Sequence, residues 1–129
     1  MSIRVELYFK ELPDPSIEAK VPGYGSVLRL TGWVMFKTKS GWSRPYIGII
    51  DSGAPTSMIP LYIWRNIETQ TIAKHEISGI NIKEECKLKV DVGKVKCKII
   101  DKEGNETEEL QILTFLAPHD EVPLILGFK

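Results

Sequence analysis

Cysteine is nearly absent from this chain: Cys86 and Cys97 are the only two in 129 residues. Neither has metal-ligand spacing or a histidine close by. A disulfide-stapled scaffold and a zinc module are therefore not expected; the pair reads as reduced thiols of a cytoplasmic protein, with a single disulfide left open. Histidine is equally scarce, and His75 and His119 are far apart in sequence, so neither a metal site nor a cofactor is expected. An excess of one charge is missing too. Lys plus Arg and Asp plus Glu number 17 each, which gives no case for nucleic acid or an anionic membrane as a partner. No apolar run approaches the ~20 residues that a spanning helix needs. The opening Met-Ser-Ile-Arg-Val-Glu lacks an apolar signal region and argues against secretion. What is present is a 43% hydrophobic chain of single-domain length, enough for one real core.

Its patterning is mainly that of strands. Residues 3–10 alternate, with Val5, Leu7 and Phe9 on one face. Residues 12–26 hold Pro13, Pro15, Pro22, Gly23 and Gly25 and read as an irregular connector. A long strand is expected over 27–38, turned back by Lys39-Ser40-Gly41 into a second over 44–50, with Trp33 and Trp42 as packing aromatics. Pro60 opens a short helix over 60–68, because Leu61, Trp64 and Ile67 recur at helical spacing. Residues 74–92 read as a hairpin with its tip near 79–83, and Gly93 as a bulge or a second turn. Val95, Cys97 and Ile99 continue the strand, Asp101 to Asn105 make a turn, and 110–116 form the last long strand. Glu106, Glu108 and Glu109 read as a solvated acidic edge.

Within this pattern one carboxylate is out of place. Tyr46-Ile47-Gly48-Ile49-Ile50 is a short, apolar, β-branched run, and Asp51 ends it, followed by Ser52, Gly53 and Ala54. An ionisable group at the mouth of a buried strand costs free energy unless it is hydrogen-bonded or used. Asp-x-Gly alone is a common turn sequence. Here, however, aliphatics precede it, Met58-Ile59 restores strand character after it, and Leu124-Ile125-Leu126-Gly127 follows about one domain length later. The two elements together resemble the signature of the retropepsin-like, single-lobe aspartic proteases. The likeness covers residues 44–127, and residues 1–43 are extra N-terminal strands.

The resemblance implies a mainly β, closed barrel-like acid-protease lobe with one short helix and a flap hairpin. It implies an aspartic endopeptidase for extended peptides with apolar residues around the cut. Asp51 would be the catalytic carboxylate. Ser52 would hydrogen-bond across a dimer, Gly53 would present backbone to substrate, and Ala54 would line the cleft. Leu126 and Gly127 would pass beneath the loop, and Gly79, Ile80 and Asn81 would cover the peptide as a flap tip. The chemistry needs two carboxylates sharing one proton about a water. Only one Asp-Ser-Gly-Ala is present, since Asp91-Val92-Gly93 lacks the hydroxyl and the apolar lead-in. A symmetric homodimer is therefore expected, with one Asp51 from each subunit.

Three features depart from the family pattern. Pro55 stands where retroviral members have an Asp, and Phe128 where they have an Arg. The sequence also reaches Lys129 without the helix and terminal strand that family members usually add there. The last of these speaks for a rival reading, a catalytically inactive, protease-derived module that binds peptides or proteins, whereas the intact Asp51, Ser52 and Gly53 speak for the enzyme. A third reading, a plain β-barrel with an Asp-Gly turn, leaves both signatures to chance.

Overall fold

Strand β2 (Ser26–Thr38) organises the molecule, and its composition explains why. Val27, Leu28, Leu30, Thr31, Trp33, Val34 and Phe36 favour extended backbone. The alternation places Val34 and Phe36 fully inside. The computed structural model describes residues 3–77 and 88–127. Along one edge β2 pairs first with β1 (Tyr8–Pro13) and then with β7 (Leu88–Ile100). Along the other it pairs with β4 (Tyr46–Asp51), while β3 (Gly41–Trp42) folds back on its end. β5 (Ser57–Ile59), β6 (Gln70–Ile77), β8 (Leu110–Leu116) and β9 (Ile125–Gly127) complete the set. The ladder runs β2–β4–β9–β5–β8–β7 and closes from β7 back to β2. The chain is thus a mainly β protein built on a closed six-stranded barrel. β1 and β6 lie alongside β2 and β7 outside the ring.

The core fills that ring with Val34, Phe36, Ile59, Ile63, Val95, Cys97, Ile99, Leu116, Leu124 and Leu126. Such burial supplies about 1.5–3 kcal/mol for each large apolar side chain. Helix α2 (Leu61–Trp64) plugs one side with the buried Ile63, and Trp64 Nε1 donates to the Ala117 carbonyl at 2.7 Å. The helix is shorter than the 60–68 expected. Pro60 is its N-cap residue, and the Glu68 N–H donates to the Lys37 carbonyl, drawing the chain off toward the β2–β3 turn.

Other expectations shift for identifiable reasons. The first strand is residues 8–13, not 3–10, because its ladder partner is the N-terminal half of β2. Val5 and Leu7 still pack on the core, whereas Phe9 is 77% exposed, so the three do not share one buried face. The 12–26 connector contains a helix, α1 (Pro15–Lys20), started by Asp14, whose Oδ1 accepts from the Ser16 and Ile17 N–H groups, with Pro15 in the first turn. β7 runs straight through Gly93. The bulge lies opposite, where Thr71 pairs with Gly93 and Ala73 with Val92, leaving Ile72 as the extra residue of β6. A Cβ at Gly93 would crowd Leu116 Cδ1 at 2.9 Å and the Gln70 carbonyl oxygen at 3.1 Å. The arms of the 74–92 hairpin pair in register from His75–Val90 to Ile77–Leu88. Its expected tip, with Gly79, Ile80 and Asn81, lies outside the described residues, as does Cys86.

Candidate active site

The loop after β4 is shaped by its own aspartate. Asp51 Oδ1 accepts from the Gly53 N–H at 2.9 Å, and the Asp51 carbonyl accepts from the Ala54 N–H at 3.1 Å. The side chain thereby fixes the turn that displays it. Ser52 and Gly53 are exposed at the crest; Asp51 and Ala54 are half-buried. Gly53 has no positive φ, so its reason is room rather than backbone freedom: a Cβ there would lie 3.3 Å from Asp51 Oδ1.

β9 holds the loop from beneath. It lies between β4 and β5, parallel to the first and antiparallel to the second. In the parallel ladder Ile49 pairs with Ile125, Ile50 with Leu126, and Asp51 with Gly127. The two segments singled out in the sequence therefore meet residue against residue. Gly127 is required by contact: a Cβ would fall 2.5 Å from the Ala54 carbonyl oxygen and 2.9 Å from that of Thr56. No side chain fits under this arch.

Ser57 is the residue that sequence reasoning did not assign. It is 2% exposed, and its Oγ accepts from the Gly127 N–H at 3.0 Å. It therefore ties the far end of the loop to the strand below it. In the sequence Ser57 is only a hydroxyl opening an apolar Ser-Met-Ile strand; its burial and its partner, which a buried polar side chain needs, emerge in the fold. Thr114, fully buried on β8, pairs with Ser57 in the parallel β5–β8 ladder.

Beside this arch runs an apolar groove of about 580 Å³, lined by Ile99, Leu110, Ile112, Leu126 and Gly127 among others. Asp51 does not line it. Cys97 lies at its floor, free and buried, and burial pushes its thiol up to about 12. Glu106 and Glu109 are exposed and make ion pairs with the half-buried Lys98 and the exposed Lys37 side chain, at 3.3 and 3.2 Å. Among the described residues no three His, Cys, Asp or Glu side chains converge as a metal site. Also among them, no helix is long and apolar enough to cross a membrane.

No protein-family model matches this chain, and no curated protein is similar enough to count as a relative.

Proposed function

We propose that the chain is an aspartic endopeptidase of the retropepsin-like kind, acting as a homodimer with one Asp51 from each subunit at a shared site. The observation that carries the reading is the pairing of Asp51 with Gly127 beneath a side-chain-free arch. An Asp-Gly turn of no function needs neither a second strand threaded under it nor a buried serine to anchor that strand. Carboxylate, turn and support together form a rigid mount for a catalytic group.

At such a site two Asp51 carboxylates face each other across a twofold axis. Like charges that close do not both ionise, so the pair holds one proton and titrates as a unit. The ionised member takes a proton from a water, which attacks the scissile carbonyl. The protonated member donates to the carbonyl oxygen as charge develops there. In the collapse that follows, the carboxyl that took the water's proton gives it to the amine nitrogen as the C–N bond breaks. The other carboxylate takes a proton back from the gem-diol hydroxyl, so the pair again holds one proton. Ser52, exposed beside Asp51, is placed to bond the partner's loop; the Gly53 and Ala54 backbone borders the extended peptide. The β6–β7 hairpin follows the loop in chain order as a flap would. Neither metal nor cofactor enters this chemistry.

The test is cleavage of a random-peptide pool between pH 3 and 7 by the wild-type chain and by Asp51→Asn. The reading expects cleavage by the first alone, blocked by a statine-type transition-state analogue. Equal cleavage by both would refute it. Absence of cleavage by both, at concentrations where the wild type is dimeric, would favour the peptide-binding module instead.

A further inference from the structure

We propose that the β1–β2 ribbon is the dimer interface, its uncovered apolar face around Phe9 and Leu28 seating on a second copy of this chain. The inference rests on the endopeptidase reading for its occupant, but its surface is read from the ladder. Phe9 pairs with Leu30 and Glu11 with Leu28, and directly paired residues of an antiparallel ladder project from one face. Two residues further along β2 the same face reaches Gly32, and there it is the interior of the barrel. A Cβ on Gly32 would meet Leu7, Ile50 and Ile99. In the other direction the barrel ends and the face continues with no cover among the described residues. Phe9 is 77% exposed and Leu28 72%.

The element at the tip of the ribbon does not hide this surface. Helix α1 buries none of its residues. Val21 and Tyr24, which follow it, are 49% and 72% exposed. Of the nine exposed large hydrophobics among the described residues, four lie between Phe9 and Leu28. On the ribbon itself Phe9 and Leu28 share one exposed face, and an exposed apolar face on a projecting ribbon marks an interaction surface.

The direction of the strands selects the occupant. β2 and β4 are antiparallel, from Val34–Tyr46 to Thr31–Ile49. Moving along β2 toward Leu28 is therefore moving along β4 toward Asp51, and the ribbon leaves the barrel at the end that carries the carboxylate. The shared-proton chemistry needs a second Asp51 at that end, and only a second copy supplies it. A twofold axis through the paired loops brings each ribbon to its partner at the same end, and a self-complementary face with Phe9 and Leu28 as its apolar part and Glu11 as its polar edge suits such an isologous contact.

The experiment is sedimentation of the full chain as wild type, as Leu28→Met, and as the double variant Phe9→Asp with Leu28→Asp, each checked for fold by circular dichroism and assayed for cleavage. Wild type and Leu28→Met should be dimers. The double variant should be a folded monomer, its self-association weakened by roughly a hundredfold or more, with cleavage returning as its concentration rises. A double variant that dimerises like wild type overturns the interface, while Asp51-dependent cleavage by the same preparations would leave the endopeptidase reading standing. A wild type that stays monomeric at high micromolar concentration overturns the interface, and if it also cleaves in an Asp51-dependent way the two-subunit site falls with it. Should the double variant not fold, hydrogen exchange of the wild type decides. Concentration-dependent protection of residues 8–13 supports the ribbon contact, and protection unchanged with concentration overturns it.

Discussion

Replacing Ser57 by alanine removes the acceptor of the Gly127 N–H and leaves a half-buried donor without its bond. The expected cost is about 1–2 kcal/mol of stability, read as a lower urea midpoint at unchanged slope. Cleavage should fall further than stability does, because the lost bond anchors the arch under Asp51. A second residue makes the stability of the fold depend on pH. The Asp101 carboxylate accepts from the N–H groups of Glu6, Glu103 and Asn105 and from Asn105 Nδ2. The Glu6 bond is the main cause holding this carboxyl below its usual value of 3.8; burial opposes it, and the Asn105 and Glu103 bonds add to the lowering. A lowered folded pKa contributes stability that is complete above the ordinary value and is lost as the pH falls through the lowered one. The melting-temperature gap between wild type and Asp101→Asn should therefore be full at pH 6 and shrink only below the ordinary carboxylate range. A gap independent of pH down to strong acid would refute this account of the turn. Asp51, Gly53 and Gly127 are legible in the sequence because each breaks a local apolar pattern. Ser57 is not, since a serine opening a strand reveals nothing of a partner 70 positions away.

At the scale of elements, the arch of β4, the Asp51 loop and β9 separates two glycines that look alike in sequence. Gly127→Ala drives a Cβ into backbone oxygens that have nowhere to go, and should cost about 1–3 kcal/mol as well as cleavage. Gly53→Ala meets only the Asp51 carboxylate, at 3.3 Å and without backbone strain. Its melting temperature should stay near wild type while cleavage drops, so thermal scans and assays on the two variants give opposite patterns. Equal destabilisation by both would count against the arch as drawn. Strands β2, β4 and β8 are legible because each is an apolar stretch rich in β-branched and aromatic residues and bounded by turn or polar residues. Helix α1 is hidden by the prolines and glycines around it, although Asp14-Pro15 is a sound helix start. β1 is displaced because strand limits follow the ladder partner, and alternation within 3–10 does not say which part of β2 will be opposite.

For the whole molecule, closure of the barrel depends on β2 meeting β7, a pairing of Trp33–Phe36 with Cys97–Ile100 that no local pattern announces. Mainly β character follows from composition and periodicity, whereas the ring follows from long-range register. The same holds for the proposed site, of which one chain carries a single mount. The measurement that bears most directly on the shared carboxylate pair is a subunit-mixing assay. Wild-type and Asp51→Asn chains are unfolded together, refolded at constant total concentration, and assayed across mixing ratios. If each site takes one Asp51 from either subunit, mixed dimers are dead and activity follows the square of the wild-type fraction, about one quarter at equal mixing. A straight-line fall, to about one half at equal mixing, would mean that each chain works alone and would contradict the account.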